Sequence, residues 1–163
     1  MAKNDTIVVC DAGPIIHLDE LNSLSLLDYN QVLIPKTVEL EIRNHRDISF
    51  QKYKNFQIVQ DPVVSEEMKN SSKLYNLHKG EIMAISLVMK YNNCMLLTDD
   101  SAARLYANHV KLQVHGTIGI LIRAVRRNLK SPEDIIQILK EIPTKSTMHI
   151  KKELLDYAIH MLK

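Results

Sequence analysis

The chain has 163 residues, 45% of them hydrophobic, with 21 basic and 19 acidic side chains and a formal net charge of +2. That supplies one ordinary core without disulfide or metal staples, and leaves too little net charge to mark a nucleic-acid partner by composition alone. No apolar run approaches the ~20 residues of a membrane helix, and MAKNDTIVV lacks a long apolar leader. Two cysteines without a CxxC exclude a disulfide framework, so a soluble, cytoplasmic protein of one domain, 1–163, is expected.

In chain order, the apolar run Ile7 to Cys10 reads as a strand that stops at Asp11, after which Gly13-Pro14 turns the chain into a helix over 14–27 with a break. A strand at 31–34 and a helix at 36–43 follow, then a strand at 56–59 and polar helical residues 65–75. An apolar helix at 81–91 leads to a strand at 95–98, a helix at 100–108 and a short strand at 112–115. Strands alternating with helices imply right-handed crossovers and a mostly parallel α/β sheet covered on both faces, a three-layer α/β/α architecture. Helices near 117–128, 132–141 and 150–162 complete the chain, giving a core at about 7–128 and a C-terminal helical extension at about 130–163. In the last helix Ile150, Leu154, Leu155, Ala158, Ile159 and Leu162 form an apolar stripe that must be buried, on this core or on a partner.

Acidic residues fall where strand and helix ends should meet: Asp11, Glu41, Glu81 and the pair Asp99/Asp100. In an open parallel sheet, functional groups gather beyond the carboxyl ends of strands, near the point where strand order reverses. For Asp11 or Asp99/Asp100 alone, capping of the next helix is the simpler role. Glu81 opens a buried helix, where it could also complement the helix dipole, and Glu41 shares a helix with Val38 and Ile42, where a carboxylate on an apolar face needs a partner. Together the acids form a divalent-metal site of hard oxygen donors more readily than four unrelated caps. Among the basic residues, Arg104 follows the aspartate pair by a helical turn, and Arg123, Arg126 and Arg127 cluster on a later helix. A basic face beside an acidic cleft suits a polyanion backbone, although the cluster at 123–127 also fits a solvated helix face.

Other chemistries lack their signatures. There is no GxxxxGK[ST] loop, no GxGxxG turn, no HExxH and no matched Cys/His spacing, so the seven histidines read as structural or surface residues. Gly13 stands where a phosphatase of the haloacid type would carry its second aspartate.

The ordered set IVVCDAGPIIHL, IPKTVELEI, GEIMAISLV, LLTDDSAARLYA and GTIGIL resembles the PIN-domain family over most of residues 7–128. It is similar to the ribonuclease toxins of VapC-type toxin–antitoxin systems, and to a subgroup described as predicted nucleic-acid-binding proteins. The resemblance implies that Asp11, Glu41, Glu81 and Asp100 or Asp99 bind Mg²⁺ or Mn²⁺ and serve hydrolysis of phosphodiester bonds, usually of RNA. It also implies a homodimer and a small antitoxin partner. The T-x-D pattern favours Asp100 as the ligand, and placement at the strand end favours Asp99. The family commonly carries Ser or Thr beside its first aspartate, whereas this chain has Cys10 and Ala12. Thr98 and Ser101 keep hydroxyls beside the aspartate pair that could hold a metal-bound water, with helix capping the expected task of Ser101. The alternative is a non-catalytic nucleic-acid-binding module on the same fold.

Overall fold

The computed structural model describes residues 6–29 and 31–163. Residues 1–5, on which part of the leader expectation falls, lie outside the described residues. Five strands, β1 (Ile7–Cys10), β2 (Gln31–Pro35), β3 (Phe56–Val59), β4 (Cys94–Leu97) and β5 (Gln113–His115), form one sheet in the order β3-β2-β1-β4-β5. Every pairing is parallel, with Val8 opposite Val32 on one side and Met95 on the other. The chain therefore builds outward from β1 to β3, then crosses back to place β4 on the free side of β1. This reversal opens a crevice at the carboxyl ends of β1 and β4.

Alternation along the strands separates two cores. Val8, Cys10, Val32, Ile34 and Leu97 face one layer, and Val9, Leu33 and Leu96 face the other. The first layer is packed by α1 (Ala12–Glu20), α2 (Lys36–His45), α6 (Thr117–Arg126), α7 (Pro132–Lys145) and α8 (Lys152–Met161). The second is packed by α3 (Glu66–Tyr75), α4 (Lys79–Val88) and α5 (Ser101–His109). The three-layer α/β/α fold is thus as the alternation of elements implied.

Local differences have physical causes. The helix expected at 14–27 begins at Ala12, because Asp11 caps it, and ends at Glu20; Asn22 takes a left-handed conformation, with a 3₁₀ turn at Leu24–Leu26 beyond it. α4 starts earlier and stops sooner than the expected 81–91, since His78 is the extended residue before it. α7 runs past the expected 141 to Lys145 with Pro143 inside its last turn, where fully buried Ile142 anchors that turn to the core. The apolar stripe of α8 packs in cis: Leu155 and Ala158 are buried against the first core, and Ile150, Ile159 and Leu162 are partly buried there. Leu154 is the exception and faces out. Among the described residues no helix is long and apolar enough to cross a membrane.

Candidate metal centre

Asp11 follows the last residue of β1, and its own N–H is tied to Leu97 O of β4 at 2.9 Å. Its carboxylate caps α1 by accepting from Ala12 N at 2.9 Å, and Thr98 Oγ1 donates to its other oxygen at 2.9 Å. Thr98, fully buried, also accepts from Asp100 N at 3.2 Å. The hydroxyl that the chain lacks beside Asp11 is therefore supplied across the switch point, from the end of β4. With its O–H given to Asp11 and one lone pair taken by Asp100 N, the Thr98 hydroxyl orients Asp11.

Asp11, Glu41, Glu81, Asp99 and Asp100 all line one cleft of about 550 Å³, together with His17, His78 and the segment Thr147 to His149. Each acid rests on a backbone N–H. Glu41 accepts from Gly80 N at 3.2 Å, Glu81 from His78 N at 2.7 Å, and Asp100 from Ala103 N at 2.8 Å. Asp100, not Ser101, caps α5; Ser101 is its exposed first residue. Asp99 accepts from Thr117 N at 2.7 Å and Thr117 Oγ1 at 2.5 Å, and His17 Nδ1 lies 2.7 Å from its Oδ2. Both oxygens of Asp99 are thus engaged, while Asp100 Oδ2 accepts no hydrogen bond among the described residues. Two glycines make these approaches feasible: a Cβ at Gly80 would lie on the Glu41 carboxylate, and one at Gly116 on Asp99 Oδ1.

Electrostatics divides the acids. Burial, reinforced by the charges of Glu81 and Glu41 and opposed by the bonds from Ala12 and Thr98, pushes Asp11 up to about 7. Glu41 is raised by burial and by Glu81, against the Gly80 bond. For Asp99 burial acts upward too, but the His17 and Thr117 bonds outweigh it and hold the carboxyl below its ordinary value. A hard cation would favour the charged forms of the raised acids, and an all-carboxylate donor set matches Mg²⁺ or Mn²⁺ in kind. As placed, no three acidic, histidine or cysteine side chains among the described residues stand close enough to hold a metal ion.

Of the arginines, Arg104 stands beside the cleft wall, with Nη1 3.4 Å from Thr98 O. Arg123 and Arg127 instead pair with Asp28, Arg123 also covers the Tyr29 ring at 4.0 Å, and Arg126 joins Arg123 at a separate pocket of about 310 Å³. The 123–127 cluster does not line the acidic cleft. Glu39 shows a limit of the spacing argument: it is more deeply buried than Glu41, clamped by Lys36 and Arg43, and takes no part in the cleft. Thr147, Met148 and His149 carried no signal in the sequence. They arrive because Glu20, at the end of α1, accepts from Ser146 Oγ, Thr147 N and Thr147 Oγ1 at 2.8–2.9 Å.

A doubly wound, all-parallel sheet that brings acids from separate segments into one cleft at its switch point defines the class, a three-layer α/β/α protein. Residues 7–163 match the family model for the PIN domain, and the chain belongs to that family. PIN domains are generally metal-dependent nucleases acting on nucleic acids. No curated protein matches the chain.

Proposed function

We propose that the protein is an endoribonuclease dependent on Mg²⁺ or Mn²⁺, hydrolysing phosphodiester bonds at the acidic cleft. The observation that carries this reading is the delivery of Asp11, Glu41, Glu81 and Asp100 into one cleft by four different chain segments, with Asp11 buried and raised to about 7. Asp11, Glu41, Glu81 and Asp100 would hold the ion; Asp99, saturated by Thr117 and His17, is better suited to fixing His17 at the rim. When bound, the divalent ion supplies a hydroxide nucleophile at neutral pH and offsets charge building on the phosphoryl oxygens. Thr98 keeps Asp11 in its orientation, and Arg104 draws the phosphate backbone toward the wall it shares with Asp99.

The test is incubation of labelled single-stranded RNA and DNA with the purified protein in Mg²⁺, Mn²⁺ or EDTA, alongside Asp11→Asn. We expect metal-dependent cutting of RNA that the substitution reduces at least about a hundredfold. A folded, metal-binding protein that cuts neither polymer would overturn the nuclease reading. That outcome favours the second reading, a non-catalytic nucleic-acid-binding module, which draws on the acids being held by backbone N–H groups rather than converged on one point. The toxin role, the homodimer and the small antitoxin are proposed on the family resemblance, and purification with the product of any adjacent small gene tests them.

A further inference from the structure

A second groove, of about 520 Å³, runs between α6 and α8 and shares Asp99, Met148 and His149 with the acidic cleft. Its lining combines apolar Ile118, Ile122 and Leu154 with Arg104, Lys151 and Tyr157. On α8, Leu154 is 54% exposed and Tyr157 61%, although the opposite face of the same helix is packed into the core. An exposed aromatic and an exposed leucine on a pinned helix leave a surface that water solvates poorly. His115 also lines the groove, its pKa lowered by burial and by Arg104, Arg123 and Arg126.

The mixture of cations and open apolar surface selects among polyanions. A duplex keeps its bases stacked inside and offers phosphates, so it gains nothing from Leu154, Ile122 or a free tyrosine ring. An unpaired strand offers both phosphates and base faces, which suit cations beside an aromatic. Asp99, the acid shared with the cleft, is already compensated by the Thr117 N–H, the Thr117 hydroxyl and His17, so it opposes a passing phosphate less than an unpaired carboxylate would. The groove meets the acidic cleft at Asp99, Met148 and His149.

We propose that the groove between α6 and α8 is a track for single-stranded nucleic acid entering the acidic cleft, with Arg104 and Lys151 on backbone phosphates and Tyr157 stacking a base. This rests on the nuclease reading for its purpose, but its test does not require cleavage. Fluorescence anisotropy of a labelled single strand of about 12 nucleotides, in EDTA, reads binding by the full-length chain, Arg104→Ala, Lys151→Ala, Tyr157→Ala and Tyr157→Phe. Tyr157→Ala weakens binding about tenfold or more and Tyr157→Phe restores it, because the ring survives. Arg104→Ala and Lys151→Ala each flatten the salt dependence by about one phosphate contact, and duplex of the same sequence competes poorly. All these side chains reach solvent, and a thermal melt verifies that each variant is folded.

Absence of binding by the wild-type chain, or equal binding by Tyr157→Ala and wild type, overturns the track. So does a dimer, seen by size-exclusion chromatography, that Tyr157→Ala dissolves, since the groove would then be an interface between copies. Binding lost in Tyr157→Ala without cleavage by the wild type in metal sustains the track and removes the nuclease. Cleavage with wild-type rates in all four variants does the reverse.

Discussion

Asp11 concentrates the cost and the use of the site in one side chain. Its folded pKa of about 7 stands above the ordinary 3.8, so the folded metal-free protein holds a proton that the unfolded chain releases at lower pH. The stabilisation linked to this group is complete below about 3.8 and is lost as pH rises through about 7. Its full size is on the order of 4 kcal/mol. In EDTA, urea midpoints should therefore fall between pH 4 and 7 for the wild type and change less for Asp11→Asn; equal slopes would refute the assignment. Added Mg²⁺ should recover wild-type stability above pH 7, because it favours the anion. Gly80 offers a separate test, since an added methyl meets the end of the Glu41 side chain rather than backbone. Gly80→Ala should leave the melting temperature nearly unchanged, because in the first turn of α4 the helix-interior advantage of alanine is reduced and the Gly80 N–H bond to Glu41 is disturbed, while metal affinity drops. Cys10, beside Asp11, is buried with its thiol pKa pushed far up, so it is no nucleophile.

At the scale of elements, the strongest determinants are the ends of β1 and β4. The apolar runs IVVC and CMLL set strand length, and the first acid after each, Asp11 and Asp99, is delivered to the same crevice. Helix starts were equally readable where a cap is local: Ser131 accepts from Asp134 N with Pro132 at the first helical position, and Ser65 accepts from Met68 N. For α5 the sequence offers both the aspartate pair and Ser101 as caps, and only backbone direction chooses Asp100. α8 illustrates the same limit. Its stripe predicted burial but not the rotation that puts Leu155 inside and Leu154 outside. Leu155→Ala should cost about 2–5 kcal/mol in chemical denaturation, and Leu154→Ala less than about 0.5 kcal/mol; similar losses would contradict this packing.

For the molecule as a whole, the extension is structurally part of the core. Ile135, Leu139, Ile142, Leu155 and Ala158 bury the same cluster as Ile15, Ile120 and Leu121, and the 146–149 segment completes the cleft wall. We therefore expect residues 7–163 to unfold in one cooperative transition, and a chain ending at residue 128 to lose its fixed tertiary packing, since a marginally stable domain does not survive the loss of two packed helices. A truncated chain with an intact, cooperative melt would show that the extension is an accessory.

The sequence by itself determined the alternation of strands and helices, hence the parallel three-layer sheet, and it marked the acids at the carboxyl ends of strands. These are local consequences of apolar period and of where each run stops. Only the tertiary structure decided which acid is free and which is spent. Asp99 is saturated by Thr117, 18 residues away, and by His17, 82 residues away, while Thr98 reaches Asp11 across 87. The same holds for the arginines at 123 and 127, which Asp28 takes up, and for the groove that α8 closes beside the cleft. Charge and hydrogen bonding act between neighbours in space, and neighbours in space become defined once the sheet has brought remote segments together.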